Sequence, residues 1–217
     1  ARSEILAVRD SFERAFPATD AVTVLRQAHA SEARIRQECS RHPFIHIVTH
    51  GFVAESTPAP LAPGLSAGLA LAGANEPGDD PLDDGILSAA EFADLDLRAA
   101  ELVVLSACES GLGPIAAGEG VLGLQRACQM AGAKTVVASL WRVNDRATQQ
   151  LMEMYYERVC ATADPISRIE ALRQAQLAML RGGGQRGLGI VSRAPARATE
   201  RRAPYEWAAF VLGGDWR

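Results

Sequence analysis

The chain has 217 residues, 48% of them apolar and 22% charged, with a net charge of −4, which suits an ordinary globular protein with chain enough for one full core. The small negative balance, with no basic stretch interleaved with aromatics, excludes a nucleic-acid-binding surface. No apolar run approaches the length of a membrane span. Lys134 is the only lysine among 22 basic residues, which reads as codon usage before recognition. Cys39, Cys108, Cys128 and Cys160 are even in number, but the chain is not short and shows no signal-peptide pattern. Three of the four lie in segments that read as helix faces, where a free cysteine behaves as a small hydrophobe. The expectation is a soluble protein in a reducing, cytoplasmic setting.

Taken in chain order, residues 2 to 15 carry Ile5, Leu6, Val8 and Phe12 at helical spacing. They begin without an initiator methionine or N-cap, as expected of a piece of a longer polypeptide. "AVTVL" (21–25) is short and β-branched and reads as a strand, and "SEARIRQEC" (31–39) as an amphipathic helix. "FIHIVTHG" (44–51) reads as a buried strand that runs out into a loop at its glycine. Residues 52 to 85 are rich in Pro, Gly and Asp, with "LSAGLALAG" as a candidate strand. The Ser-x-x-Glu spacing of "SAAE" (88–91) is that of a capping box opening a short helix. "ELVVLSAC" is the next strand, "EGVLGLQRACQMAG" (119–132) a helix stopped by Gly132, and "AKTVVASLW" another strand. Helices follow near 144–162 and 165–181, then an aperiodic stretch over 181–204 that reads as a mobile loop, and "YEWAAFVLGGDW" closes with a strand. Strands alternating with helices predict an α/β fold: a mainly parallel sheet with helices on both faces and its site at the carboxyl edge.

His50 and Cys108 both end strands at that edge, 58 positions apart. A thiol attacks a carbonyl as its thiolate and needs a neighbouring base, a task suited to histidine, which can later protonate the leaving amine. The tetrahedral intermediate needs backbone N–H donors and small neighbours, and "THG" and "SACESG" supply these. The order, histidine first, matches that of caspases, whose histidine lies roughly 50 residues upstream of the cysteine. A cysteine ending a buried strand is, without such a partner, more often packing than nucleophile.

The segments "FIHIVTHG", "LSAGLALAG", "DGILSAAEFADLDLRAAELVVLSACESGLG", "GEGVLGLQRACQMAGAKTVVASLWRVND", "ALRQAQLAML" and "YEWAAFVLGGDW" together resemble, in this order, a CHAT domain. That is the prokaryotic caspase-like peptidase module, grouped with caspases, separases, gingipains and clostripain. The resemblance covers nearly the whole chain and implies a single caspase-like domain over 1–217, with its first strand preceding Ala1 in a larger protein. It implies a cysteine endopeptidase with Cys108 as nucleophile and His50 as base and proton donor. The N–H groups of Gly51 and Cys108 would form the oxyanion hole, and a backbone carbonyl near His42–Pro43 is the candidate for orienting the imidazole. Trp141, Arg142, Asp145 and Glu109 are the substrate-pocket candidates, because the strand after the nucleophile helix helps to line the pocket in this clan. Separases follow its Trp with an acidic residue that receives arginine, the position of Asp145 here. The order of preference for the residue before the cut is basic, then apolar, then acidic. The implied partners are a protein substrate and an upstream sensor or repeat domain, with no cofactor, metal, nucleic acid or membrane. The alternative is a catalytically silent caspase-like interaction module, or one active only after an activator binds.

Other patterns have bland readings. His42, His46 and His50 would align as metal ligands on a helix, but Pro43 and the β-branched run make the segment a strand. His46 reads as a core residue beside the site and His29 as surface. "GLGPIAAGEG" lacks the Lys-Ser/Thr ending of a phosphate loop and reads as a flexible loop bordering the site. Asp79, Asp80, Asp83 and Asp84 lack the spacing of an EF-hand and read as a solvated acidic turn.

Overall fold

The computed structural model describes residues 2–17, 22–53, 67–76, 83–109, 114–161, 165–182 and 202–217. The chain forms two compact units, one of residues 23–142 with 210–216, the other of residues 1–22, 143–209 and 217.

The first unit holds a six-stranded sheet. Its strands are β1 (Phe44–Val53), β2 (Ala67–Ala70), β3 (Ile86–Ser88), β4 (Leu102–Glu109), β5 (Thr135–Ser139) and β6 (Phe210–Gly214), in the spatial order β3-β2-β1-β4-β5-β6. β1, β4 and β5 are parallel; β2 runs against β1, β3 against β2 and β6 against β5. Four of the six strands thus point the same way, the mainly parallel mixed sheet of an α/β fold. Leu102 to Leu105 and Val136 to Ala138 are at most 2% exposed, on both faces of the central strands. That double burial is why these segments read as unbroken apolar runs, and each such Leu or Val side chain contributes about 2 kcal/mol. Helices α2 (Glu32–Cys39), α3 (Ala89–Ala93) and α4 (Pro114–Met130) belong to this unit. α4 packs on β1, β2, β4 and β5 and also on α3. Val103, Leu105, Ala107, Val136 and Ala138 form a cluster with Val121, Leu124 and Cys128 of α4. Odd-numbered positions of β1 and β4 therefore face α4, and even-numbered ones face the other way.

The capping box expected at 88–91 is complete. The Ser88 hydroxyl accepts from the Glu91 N–H, and the Glu91 carboxylate accepts from the Ser88 N–H. The Ser31 hydroxyl accepts the Arg34 N–H to cap α2, without a reciprocal bond, and Gly132, at φ +108°, ends α4. Residues 22–25 are not a strand: they run unpaired into a single 3₁₀ turn, Gln27–His29. β-branching favours a strand only where a neighbouring strand is there to pair with. α4 starts at Pro114 rather than 119, so the predicted flexible loop is in part its first turns. Proline suits the opening position of a helix, where its missing N–H costs nothing. β1 does not run out at Gly51 but continues through Phe52 and Val53, paired with Gly68 and Ala67.

The second unit consists of α1 (Arg2–Ala15), α5 (Asp145–Val159), α6 (Arg168–Leu180) and α7 (Pro204–Trp207). α5 packs against each of the other three. Leu151, Met152, Tyr155, Tyr156, Leu172 and Met179 are its buried centre. Residues 205–207, read as part of the closing strand, belong to a helical turn, Pro204–Trp207, opened by Pro204. The predicted loop over 181–204 lies mostly outside the described residues. Among the described residues no helix is long and apolar enough to cross a membrane.

Candidate active site

β1 and β4 are parallel neighbours in register from Phe44↔Leu102 to Gly51↔Glu109, and this register sets His50 directly opposite Cys108. Adjacent strands lie about 4.8 Å apart, so the two residues at the carboxyl end of the sheet are as close as sheet geometry allows. The anchors of that register are the apolar residues further back, Ile45 and Ile47 against Val103 and Leu105. A one-residue slip would move them all to the wrong face. His50 is exposed, and Gly51, next to it, is buried. A β-carbon at Gly51 would meet Ala107 at 3.6 Å, an ordinary contact, so packing alone does not demand glycine there. Thr49 ties the strand end sideways, its hydroxyl donating to the Ala70 carbonyl of β2, while Ala70 is also the register partner of His50.

The carbonyl expected near His42–Pro43 does not serve the imidazole. Pro43 lies before the start of β1, about 23 Å along the strand from His50. Its carbonyl accepts the N–H groups of Glu101 and Leu102, at 2.8 and 3.1 Å. His42 instead approaches Glu38, Nε2 to Oε2 at 3.4 Å. His46 and His50 share a face about 13 Å apart, and His29 is exposed. Among the described residues no cluster of His, Cys, Asp or Glu could hold a metal ion. Asp84 accepts the Ile86 N–H at 2.8 Å and Asp83 the Ala33 N–H at 3.4 Å, so both are engaged with backbone; Asp79 and Asp80 lie outside the described residues.

Of the four cysteines, Cys39, Cys128 and Cys160 are buried and free. Cys39 closes α2, Cys128 lies in α4 and Cys160 caps the end of α5, the helix-face placements expected from their spacing. Burial pushes the Cys39 thiol up to about 12 and that of Cys160 up to about 11, and it raises the fully enclosed Cys128 as well. None of the three forms a thiolate near neutrality.

Trp141 and Arg142 follow β5 in the unit that holds His50 and Cys108; Arg142 is exposed. A Ser139 hydroxyl donating to the Trp141 carbonyl at 2.8 Å fixes the chain's exit from the strand. Asp145 is exposed in the first turn of α5, behind the N-cap Asn144, whose side chain accepts the Ala147 N–H at 2.8 Å. An acid is favoured in that turn by the helix dipole, which accounts for Asp145 without a substrate. Glu109 sits opposite Gly51 in the register. A cavity of about 360 Å³ in the helical unit is lined by Asn144, Arg146, Ala147, Gln150, Arg202 and Glu206 and holds none of these residues. Sequence reading missed Thr49, and it missed Phe52, which lies two residues past His50 and so on its face. The alternation of side chains along "THGF" was the available signal.

This sheet, with a histidine and a cysteine in register near the carboxyl ends of neighbouring parallel strands, is that of a caspase-like α/β protein. The family model of the CHAT domain matches residues 1–215, and the chain belongs to the CHAT-domain family, a group of caspase-like peptidases. No curated protein matches the chain.

Proposed function

We propose that this domain is a cysteine endopeptidase acting through a His50–Cys108 dyad. The observation that carries the reading is the strand register that pairs these two residues at the carboxyl edge. In the proposed reaction His50 takes the Cys108 proton and the thiolate attacks the peptide carbonyl. The N–H groups of Gly51 and Cys108 receive the oxyanion. As the intermediate collapses, the C–N bond breaks, the imidazolium gives its proton to the departing amine, and the acyl group stays on sulfur. Water, deprotonated by His50, then releases the second fragment and restores the thiol. Trp141 and Arg142, just past β5, border the position of the residue before the cut.

Support comes from the family and from the state of the other thiols, all buried and protonated. The test is Cys108→Ala assayed on a peptide library, with circular dichroism and melting temperature as folding controls. Cleavage should fall by on the order of a thousandfold or more at unchanged fold. Cleavage retained by a folded Cys108→Ala protein would sink the assignment.

A further inference from the structure

We infer that Phe52 forms an apolar seat for the substrate residue that immediately follows the scissile bond, making it a determinant of specificity on the leaving-group side; the inference rests on the peptidase reading above. Alternation along β1 sets Phe52 on the same face as His50, about 6.6 Å further toward the strand end. Its register partner on β2 is Gly68. The ring lies across that glycine: a β-carbon built on Gly68 would sit 2.8 Å from the ring tip Cζ and 3.3 and 3.4 Å from Cε1 and Cε2. Any side chain at 68 would evict the ring, so the glycine is what lets it lie flat over β2. Phe52 is nonetheless only partly buried, and the neighbours that β2 offers on that face are Gly68 and Ala70.

The sheet order β2-β1-β4 turns this into a statement about substrate. Across the edge the sequence is Cys108 on β4, His50 on β1, then the Phe52 ring over β2. The acyl carbon must be at Cys108. The amine nitrogen must be at His50, because the imidazolium protonates it as the C–N bond breaks. The peptide therefore leaves the site past His50, away from β4, and the first side chain of the departing fragment reaches the Phe52 ring. That surface, an aromatic face beside glycine and alanine, suits an apolar side chain.

The experiment measures kcat/KM for peptides that vary only in the residue after the cut, with wild type, Phe52→Ala, Phe52→Leu and Gly68→Ala. Wild type should favour apolar over charged residues there, and Phe52→Ala should lower that ratio by about tenfold or more while the preference for the residue before the cut persists. Phe52→Leu, which keeps an apolar surface, should retain part of the ratio and carries the test if the alanine variant does not fold. Gly68→Ala should shift the ratio by displacing the ring. A flat wild-type profile at that position, or a ratio unmoved in both Phe52 variants, overturns the inference while leaving the peptidase reading standing. A peptidyl chloromethyl ketone, which carries no residue beyond the cut, separates the two: if it fails to modify Cys108 in wild type, the peptidase reading falls and this one with it.

Discussion

The thiol at Cys39 faces two costs on ionising, loss of solvent and the neighbouring Glu38 charge, with burial the larger. Cys128 pays for burial first and for the proximity of Cys39 second, and Cys160 for burial alone. Alkylation requires thiolate and access, and these three have neither. Iodoacetamide at pH 8 should therefore modify the native protein at one position, Cys108, and reach the others only on denaturation, as peptide mass mapping would record. Modification of Cys39, Cys128 or Cys160 in the folded protein would contradict their placement. The residue scale was also the most legible in the sequence. Helical spacing marked three cysteines as packing, and the His-Gly and Ser-Ala-Cys motifs marked His50 and Cys108. Phe52 carries no such mark, because its packing depends on Gly68, a glycine among many until the pairing of β1 with β2 is known.

Among the elements, the β2–β3 hairpin is held by charge inside the protein. Glu32 of α2, with a side chain that is 0% exposed, accepts the Gly85 N–H at 2.9 Å and pairs with Arg36 at 3.3 Å. Arg36 pairs in turn with Glu91 at 3.1 Å, the same carboxylate that completes the capping box. Gly85 has φ +84°, and a β-carbon there would lie 2.1 Å from the Ala74 nitrogen, so the turn requires glycine twice over. Burial, and then the charges of Glu91 and Asp84, push the Glu32 carboxyl above its ordinary 4.5, against the pull of the Gly85 N–H and Arg36. A carboxyl raised by folding adds stability that is complete below the ordinary value and is lost as pH rises through the raised one. Glu32→Gln has no such loss. Its melting temperature relative to wild type should accordingly become more favourable as pH goes from 4 to 7; a constant or opposite difference in calorimetry would show that Glu32 ionises freely. Only half of this network could be read in advance. Ser88 and Glu91 are three residues apart and announce a cap, whereas Glu32 and Gly85 are 53 apart and carry no local mark. Residues 22–25 show the converse: their composition suits a strand, and among the described residues no partner strand meets them.

For the molecule as a whole, stability is concentrated in the middle of the sheet. β4 and β5 are buried on both faces and hydrogen-bonded on both sides, while β3 and β6 are its edges. Amides of Leu102–Leu105 and Val136–Ala138 should be the last to exchange in native-state hydrogen exchange, with β3, β6 and α7 well ahead of them. Slower exchange in β6 than in β4 would place the most stable part of the fold elsewhere. The class of fold was legible because doubly buried strands leave continuous apolar runs. The reversed directions of β2 and β6 were not, since nothing in a short strand's composition records which way the chain enters it.

The pairing of His50 with Cys108 also governs which changes in length the protein can absorb. Neither residue relies on the connection between them for its place, because each is set by counting along its own strand from apolar anchors. Extra residues between β1 and β4 lengthen a loop at small entropic cost and leave the pair facing as before. A single residue removed between Ile47 and His50 would instead turn the imidazole toward α4. Insertions are thus tolerated in the connections, whereas the stretch of each strand between its apolar anchors and the paired residue tolerates no change in count.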